Sequence, residues 1–173
     1  MKAIKFFAIA ILFSGVSVMA SAQNTATQSA TASAKIVAPI TLTKTTDLRF
    51  GTIATSNAPG TVSVGTTAGA TATASGGATM VASSLAETGP AVFTITGESD
   101  QTFSLNVKTG HVITLSNGSK TMNVTLDIPD FTETKNTLTG GTKPLIIGGS
   151  LAVGADQASG AYSNTFNVTV QYE

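Results

Sequence analysis

From residue 90 onward, apolar side chains recur at every second position: Ala91, Phe93 and Ile95, then Phe103, Leu105 and Val107, then Ile113 and Leu115, then Met122, Val124, Leu126 and Ile128. Successive side chains of a strand point to opposite faces, so a period of two over short segments means strands with one face buried. Gly97-Glu98-Ser99-Asp100, Thr109-Gly110 and Ser116-Asn117-Gly118-Ser119 separate these segments. Asn-Gly suits the positive φ of a hairpin turn. The pattern predicts an antiparallel meander, with further strands at 34–43, 47–53, 61–65, 144–153 and 162–172. That spacing suits a sandwich or a small barrel. Residues 54–89 are rich in Ala, Gly, Thr and Ser, with Val62, Val64, Met80, Val81 and Leu85 as the larger apolar groups. They read as short edge strands or a loose loop. An eight-stranded outer-membrane barrel would carry an aromatic girdle at each interface. The chain has no Trp and, in Tyr162 and Tyr172, two Tyr, which favours a soluble β-sandwich.

The N-terminus reads as an export signal. Lys2 and Lys5 precede an apolar run from Phe6 to Phe13 that is too short to span a bilayer, and Ala20-Ser21-Ala22 offers small residues for cleavage before Gln23. Residues 1–22 are therefore expected to be a cleaved signal peptide. Removing the two lysines leaves seven Lys and Arg against nine Asp and Glu, a formal charge of about minus two. Such a balance gives no bulk attraction to nucleic acid or an anionic membrane. The chain has no cysteine, so disulfides, thiolate chemistry and lipid attachment at cysteine are excluded. No hydrophobic tail follows at the C-terminus, so the processed chain is expected not to span a membrane.

Residues able to carry catalysis are sparse. His111 is the single histidine and follows Gly110, as a solvated turn residue would. There is no Gly-x-Ser-x-Gly elbow, and Gly118-Ser119-Lys120-Thr121 lacks the upstream glycine and the Gly-Lys order of a phosphate loop. Asp127, Asp130 and Glu133 surround Pro129, while Glu98 and Asp100 share a turn, but neither group has the spacing of a calcium loop. No enzyme activity, cofactor or metal is expected.

The two ends of the processed chain carry more. Ala26, Ala30, Ala32, Ala34, Ile36 and Ala38 fall on even positions, while Ser29, Thr31, Ser33 and Lys35 fall on odd ones. An extended segment of this kind has two unlike faces. It can pair as the first strand of its own domain, or complete a neighbour's sheet by strand addition. Residues 23–33 are thus a candidate donor or linker segment with Ala26, Ala30 and Ala32 on its apolar face, and 34–173 are expected to form one domain. At the other end, Gly160 precedes a strand with Phe166, Val168, Val170 and Tyr172 on one face and Asn167, Thr169 and Gln171 on the other.

A glycine fourteen residues from the C-terminus, here Gly160, and a penultimate tyrosine, here Tyr172, resemble the terminal signature of chaperone-usher pilin subunits. Asp47-Leu48-Arg49-Phe50-Gly51 resembles the Leu-x-Phe-Gly strand end of many such subunits. The chain also closely resembles the bacterial exported family known as domain of unknown function 4402, itself similar to chaperone-usher pilins and to spore coat protein U-like subunits. The matching stretches are Ala34–Ile40, Gly89–Gly97 and Gly160-Ala161-Tyr162, and the resemblance covers nearly all of the processed chain.

What the resemblance implies is an all-β, immunoglobulin-like antiparallel sandwich that lacks one strand, lent by a partner. Gly160, Tyr162, Phe166, Val168, Val170 and Tyr172 would lie in the strand contacted by a periplasmic chaperone or a neighbouring subunit, and 23–33 would be the donor. The implied function is a non-enzymatic structural subunit of a pilus- or fimbria-like surface filament, built by donor-strand complementation. A periplasmic chaperone, an outer-membrane usher and like subunits are the implied partners. The location would be the periplasm in transit, then the cell surface or the medium. The alternative is a self-completed surface adhesin or carbohydrate-binding module of the same fold.

Overall fold

The computed structural model describes residues 25–82 and 87–173. The expected signal peptide, Gln23 and Leu85 lie outside the described residues. Chain contacts separate Met1–Lys35 from a compact unit, Ile36–Glu173. That unit is nearly all β, built from antiparallel sheets in a sandwich-like arrangement, as the period-two patterning requires.

Among the described residues twelve strands follow in order: β1 (Thr41–Thr46), β2 (Arg49–Phe50), β3 (Thr52–Val64), β4 (Ala72–Val81), β5 (Thr88–Gly89), β6 (Ala91–Thr96), β7 (Thr102–Leu105), β8 (Val112–Asn117), β9 (Lys120–Asp127), β10 (Asn136–Thr137), β11 (Thr142–Val153) and β12 (Val170–Tyr172). A single 3-10 turn, Thr139–Gly141, leads into β11. The main sheet runs β1-β6-β11-β3-β4, with β9 also on β11 and β8 on β9. A second sheet has the order β10-β7-β12, and β2 pairs with β5.

Strand β11 joins two sets of partners. Its first half, Thr142–Ile147, pairs with β6. From Gly148 onward it pairs with β9, and from Gly149 with β3 as well. The changeover falls on two glycines for a steric reason. A Cβ on Gly148 would lie 2.5 Å from the Val64 carbonyl oxygen, and one on Gly149 would lie 3.0 Å from that of Thr125.

The core alternates as the sequence indicates. Ile95, Phe103, Val124, Leu138, Leu145 and Ile147 are wholly enclosed, each worth about 1.5–3 kcal/mol of burial. Asn136 is the buried polar residue of the core. Its Nδ2 donates to the Thr132 carbonyl at 2.7 Å and its Oδ1 accepts from the Thr132 amide at 3.0 Å, so it is satisfied in place.

The structure corrects several expectations. The meander holds for one hairpin, β8–β9, closed by Gly118 at φ 58 and Ser119, so one positive φ serves rather than two. β6 does not pair with β7 across Gly97–Asp100. β6 is already flanked by β1 and β11, and the chain must leave for the other sheet. Within 54–81 the chain is not a loose loop: β3 and β4 form a long hairpin there, with β4 at the sheet's edge as one of the two expectations had it. Small residues are needed because the backbones approach closely, a Cβ on Gly77 falling 1.9 Å from the Ala58 carbonyl oxygen.

The expected strand at 34–43 begins at Thr41 instead, and residues 25–40 form no ladder. Pro39 brings no amide hydrogen to a ladder, and alanines bury little area. The expected 47–53 strand breaks at Gly51, whose φ is 77. The last strand is Val170–Tyr172 rather than 162–172, for a reason given below.

Gly148→Ala tests the changeover. Its methyl group meets backbone that cannot rotate away, so a loss of about 1–3 kcal/mol is expected in chemical denaturation. Gly65→Ala, whose methyl would meet Ala70 Cβ at 3.6 Å, should change stability far less.

Candidate functional site

β3 outruns its neighbour. β11 covers it over Gly60–Val64 and ends with Val153 opposite Gly60, while Thr52–Thr55 pair with β4 alone. One edge of β3 from Thr52 to Thr55 therefore has no ladder partner among the described residues.

The stretch 164–169 is a second edge of this kind. It follows an isolated bridge, Ser163 to Ser116, and precedes β12. Between those points it is tied by asparagine side chains in addition to backbone. Asn106 Nδ2 donates to the Asn167 carbonyl at 3.2 Å, Asn106 Oδ1 accepts from the Thr169 amide at 2.6 Å, and Asn164 Nδ2 donates to the Thr114 carbonyl at 2.8 Å. These side chains stand where a regular ladder would run, which is why the expected long terminal strand shrinks to three residues. They tie the side facing β7 and β8 and leave the other side without a ladder.

A groove of about 830 Å³ opens between the Thr52–Thr55 edge and the segment that leads into 164–169. Thr52–Thr55 form one wall and Gln157–Asn164 with Phe166 the other. Ile113, Leu115 and Met122 form part of the floor and are half-buried, packed on the core beneath them. Among the described residues no Asp, Glu, Lys, Arg or His lines the groove. It is therefore an uncharged trough with an apolar floor and polar walls, suited to an extended chain that brings its own amides and carbonyls.

The rim is shaped by Tyr162 and Gly160. The Tyr162 hydroxyl donates to the Ala158 carbonyl at 2.8 Å and accepts from Gln157 Nε2 at 2.8 Å, which folds 157–162 into a tight loop. Gly160 has φ 143, and a Cβ there would lie 1.8 Å from Asn117 Nδ2, so the loop passes over Asn117 only without a side chain.

Of the residues read from the sequence as a contact strand, Gly160, Tyr162 and Phe166 border the groove and Val168, Val170 and Tyr172 do not. Phe166, Val168, Val170 and Tyr172 do share a face, but all four are half-buried rather than enclosed. Tyr172 has an internal task. Its hydroxyl accepts from the Glu98 amide at 2.6 Å and donates to the Ala38 carbonyl at 2.9 Å, while the Ala38 amide donates to Glu98 Oε2 at 3.2 Å. The three groups clamp Ala38 to the β6–β7 turn. Ala26, Ala30 and Ala32 are exposed and belong to no ladder.

Sequence reasoning missed the opposite wall, Thr52–Thr55, and the tether at Asn106. The wall depends on where β11 stops, which no local pattern records. Asn106 breaks the alternation between Leu105 and Val107 only as any outward polar residue does.

Other groups read as possible sites have structural partners. Glu133 pairs with Lys108 at 3.0 Å, and His111 is exposed in a turn, its amide bonded to the Lys108 carbonyl. Among the described residues no group of three or more His, Cys, Asp or Glu could hold a metal ion. Lys44 donates to Asp47 at 2.6 Å, and this hydrogen bond, with the lysine's charge, holds the Asp47 carboxyl below the usual carboxylate range.

Residues 40–172 match the family described as Domain of unknown function (DUF4402). The chain belongs to that family. No curated protein and no solved structure matches it. The DUF4402 match begins just before β1 and ends at Tyr172, so it takes in both groove walls and the clamp tyrosine.

Tyr172→Phe keeps the ring and removes the hydroxyl. Leaving the Glu98 amide without its acceptor should cost about 1–2 kcal/mol in denaturant unfolding. Hydrogen exchange at the Glu98 amide should accelerate in the variant while amides of β9 and β11 stay protected.

Proposed function

We propose that this chain is a non-enzymatic structural subunit of a pilus- or fimbria-like surface filament, assembled by donor-strand complementation. The observation that carries the reading is the groove with an apolar floor between the β3 edge at Thr52–Thr55, which lacks a second ladder partner among the described residues, and the segment 157–166, which forms no strand. A sheet edge over an exposed apolar floor is a template for another chain, and an added strand satisfies peptide groups and covers the floor in one step. A surface that interacts through backbone and apolar contact, with no cluster of reactive side chains beside it, favours assembly over catalysis.

In this reading a periplasmic chaperone occupies the groove in transit, an outer-membrane usher exchanges it for a strand from another subunit, and export depends on the segment 1–22. Gly160, Tyr162 and Phe166 then belong to the acceptor rim. Tyr172 acts on the fold beside it rather than in the groove.

Hydrogen exchange on protein from the producing cell tests the reading. In isolated subunits the Thr52–Thr55 amides that do not bond to β4, and those of Phe166, Asn167 and Val168, should exchange fast, and in sheared surface filaments they should be protected at least tenfold. A chain that remains a stable monomer, forms no filaments in its own cell and already protects these amides would overturn it.

A further inference from the structure

Asn117-Gly118 is the one Asn-Gly pair in the chain. Every other asparagine precedes Thr, Val or Ala, whose Cβ crowds the following amide nitrogen. The pair forms the tip of the β8–β9 hairpin: Asn117 pairs with Lys120, and Gly118, at φ 58, and Ser119 make the exposed turn between them. Asn117 itself is half-buried, because the loop 157–162 crosses it. Its Nδ2 donates to the Ser159 carbonyl at 3.5 Å, and a Cβ on Gly160 would lie 1.8 Å from the same nitrogen. Beside it the Ser116 amide donates to the Ser163 carbonyl at 3.1 Å, and the Ser163 amide donates to the Ser116 carbonyl at 3.2 Å. One wall of the groove thus rests on the side-chain amide of a residue that a glycine follows.

We propose that Asn117 is a site of deamidation, through a cyclic imide formed with the Gly118 nitrogen, and that the carboxylate left behind loosens the groove wall at 157–163. The modification does not depend on what fills the groove. Its chemistry needs water alone. The Gly118 nitrogen gives its proton to water and attacks Asn117 Cγ; the N–Cγ bond forms, the Cγ–Nδ2 bond breaks, and Nδ2 takes up protons and leaves as ammonia. Water then opens the imide at one of its two carbonyls. Opening at Cγ restores the original main chain with a side-chain carboxylate at 117. Opening at the main-chain carbonyl leaves the chain running through Cγ, one methylene longer, as isoaspartate. Water enters, ammonia leaves, and nothing is oxidised or reduced.

Glycine at 118 leaves the attacking nitrogen unshielded, and the turn around it is in solvent. The ring closes once the Asn117 side chain swings away from Ser159 and the last hairpin pair parts, and exposed hairpin tips open more readily than the core strands behind them. Either product removes the Nδ2 donor and sets a carboxylate against the Ser159 carbonyl, acceptor facing acceptor. Isoaspartate also lengthens the main chain at a turn whose length fixes the hairpin register.

Ageing protein purified from the producing cell in neutral buffer tests the proposal. Peptide mass mapping should show a gain of about 1 Da at Asn117 well ahead of every other asparagine, and isoaspartate there should accept a labelled methyl group from protein isoaspartate methyltransferase. Asn117→Gln keeps a side-chain amide but would have to close a larger ring, so it should abolish the label. In the deamidated fraction, separated by its added negative charge, hydrogen exchange at the Ser163 amide should run about tenfold faster than in the unmodified chain while β11 amides stay protected. Asn117→Asp should shift Ser163 in the same direction; the aged fraction gives the same readout should that variant not fold. Deamidation spread evenly over the asparagines, or no label above that of Asn117→Gln, would overturn the site. A glycan on Asn117, which Asn117-Gly118-Ser119 also permits, would appear as a far larger mass gain and overturn it too, since a substituted Nδ2 does not leave as ammonia. Unchanged Ser163 exchange in the deamidated fraction would overturn the effect on the groove wall.

Discussion

The pairing of β11 with two sets of neighbours is the constraint on which the rest of the structure depends. Its first half is hydrogen-bonded to β6 and its second to β9 and β3, so a single strand ties together parts of the chain that are far apart in sequence. Leu145, Ile147, Leu151 and Val153 are buried along its length, which makes it the spine of the core as well as of the sheet. The changeover requires backbones to approach more closely than any side chain allows, and Gly148 and Gly149 occupy that point.

The groove is a consequence of the same strand. Because β11 ends opposite Gly60, the far part of β3 projects beyond it with one edge unpaired. The segment after β11 returns as the loop 157–162, shaped by Tyr162 and Gly160, and then runs opposite that edge without reaching it. Asn106 and Asn164 hold the returning segment toward β7 and β8. Two edges are thereby kept apart over a half-buried apolar floor, and the domain remains folded because its fully enclosed residues, such as Ile95, Phe103 and Leu138, lie elsewhere.

Much of this was legible in the residues. The alternation from Ala91 to Ile128 marked the inward-facing positions, although Ile113, Leu115 and Met122 among them are only half-buried, since side-chain direction in a strand is a local property with a period of two. The Asn117-Gly118 turn marked its hairpin, and Gly160 stood out by its place before the last alternating segment. The order of strands was not legible. Gly97–Asp100 looks like a hairpin turn yet connects two sheets, because the partners of β6 come from Thr41–Thr46 and Thr142–Ile147, far away in the chain. The β3–β4 hairpin was hidden for a different reason: Gly60 and Gly77 serve close backbone contact, and the composition that permits such contact resembles that of a loose loop.

The sequence by itself determined that this chain is all-β, that it is held without disulfides, and that both ends carry apolar side chains at alternate positions. These follow from residue identity and spacing, which act within a few positions. Only the tertiary structure decided which of those faces are covered. Phe166, Val168 and Val170 all pack half-buried against the core, and of the three Phe166 alone also borders the groove. Tyr172 is spent on clamping Ala38, and Ile36 is left in water. Burial and strand pairing are non-local, set by where β11 stops and where the chain returns, and no pattern within a segment records either.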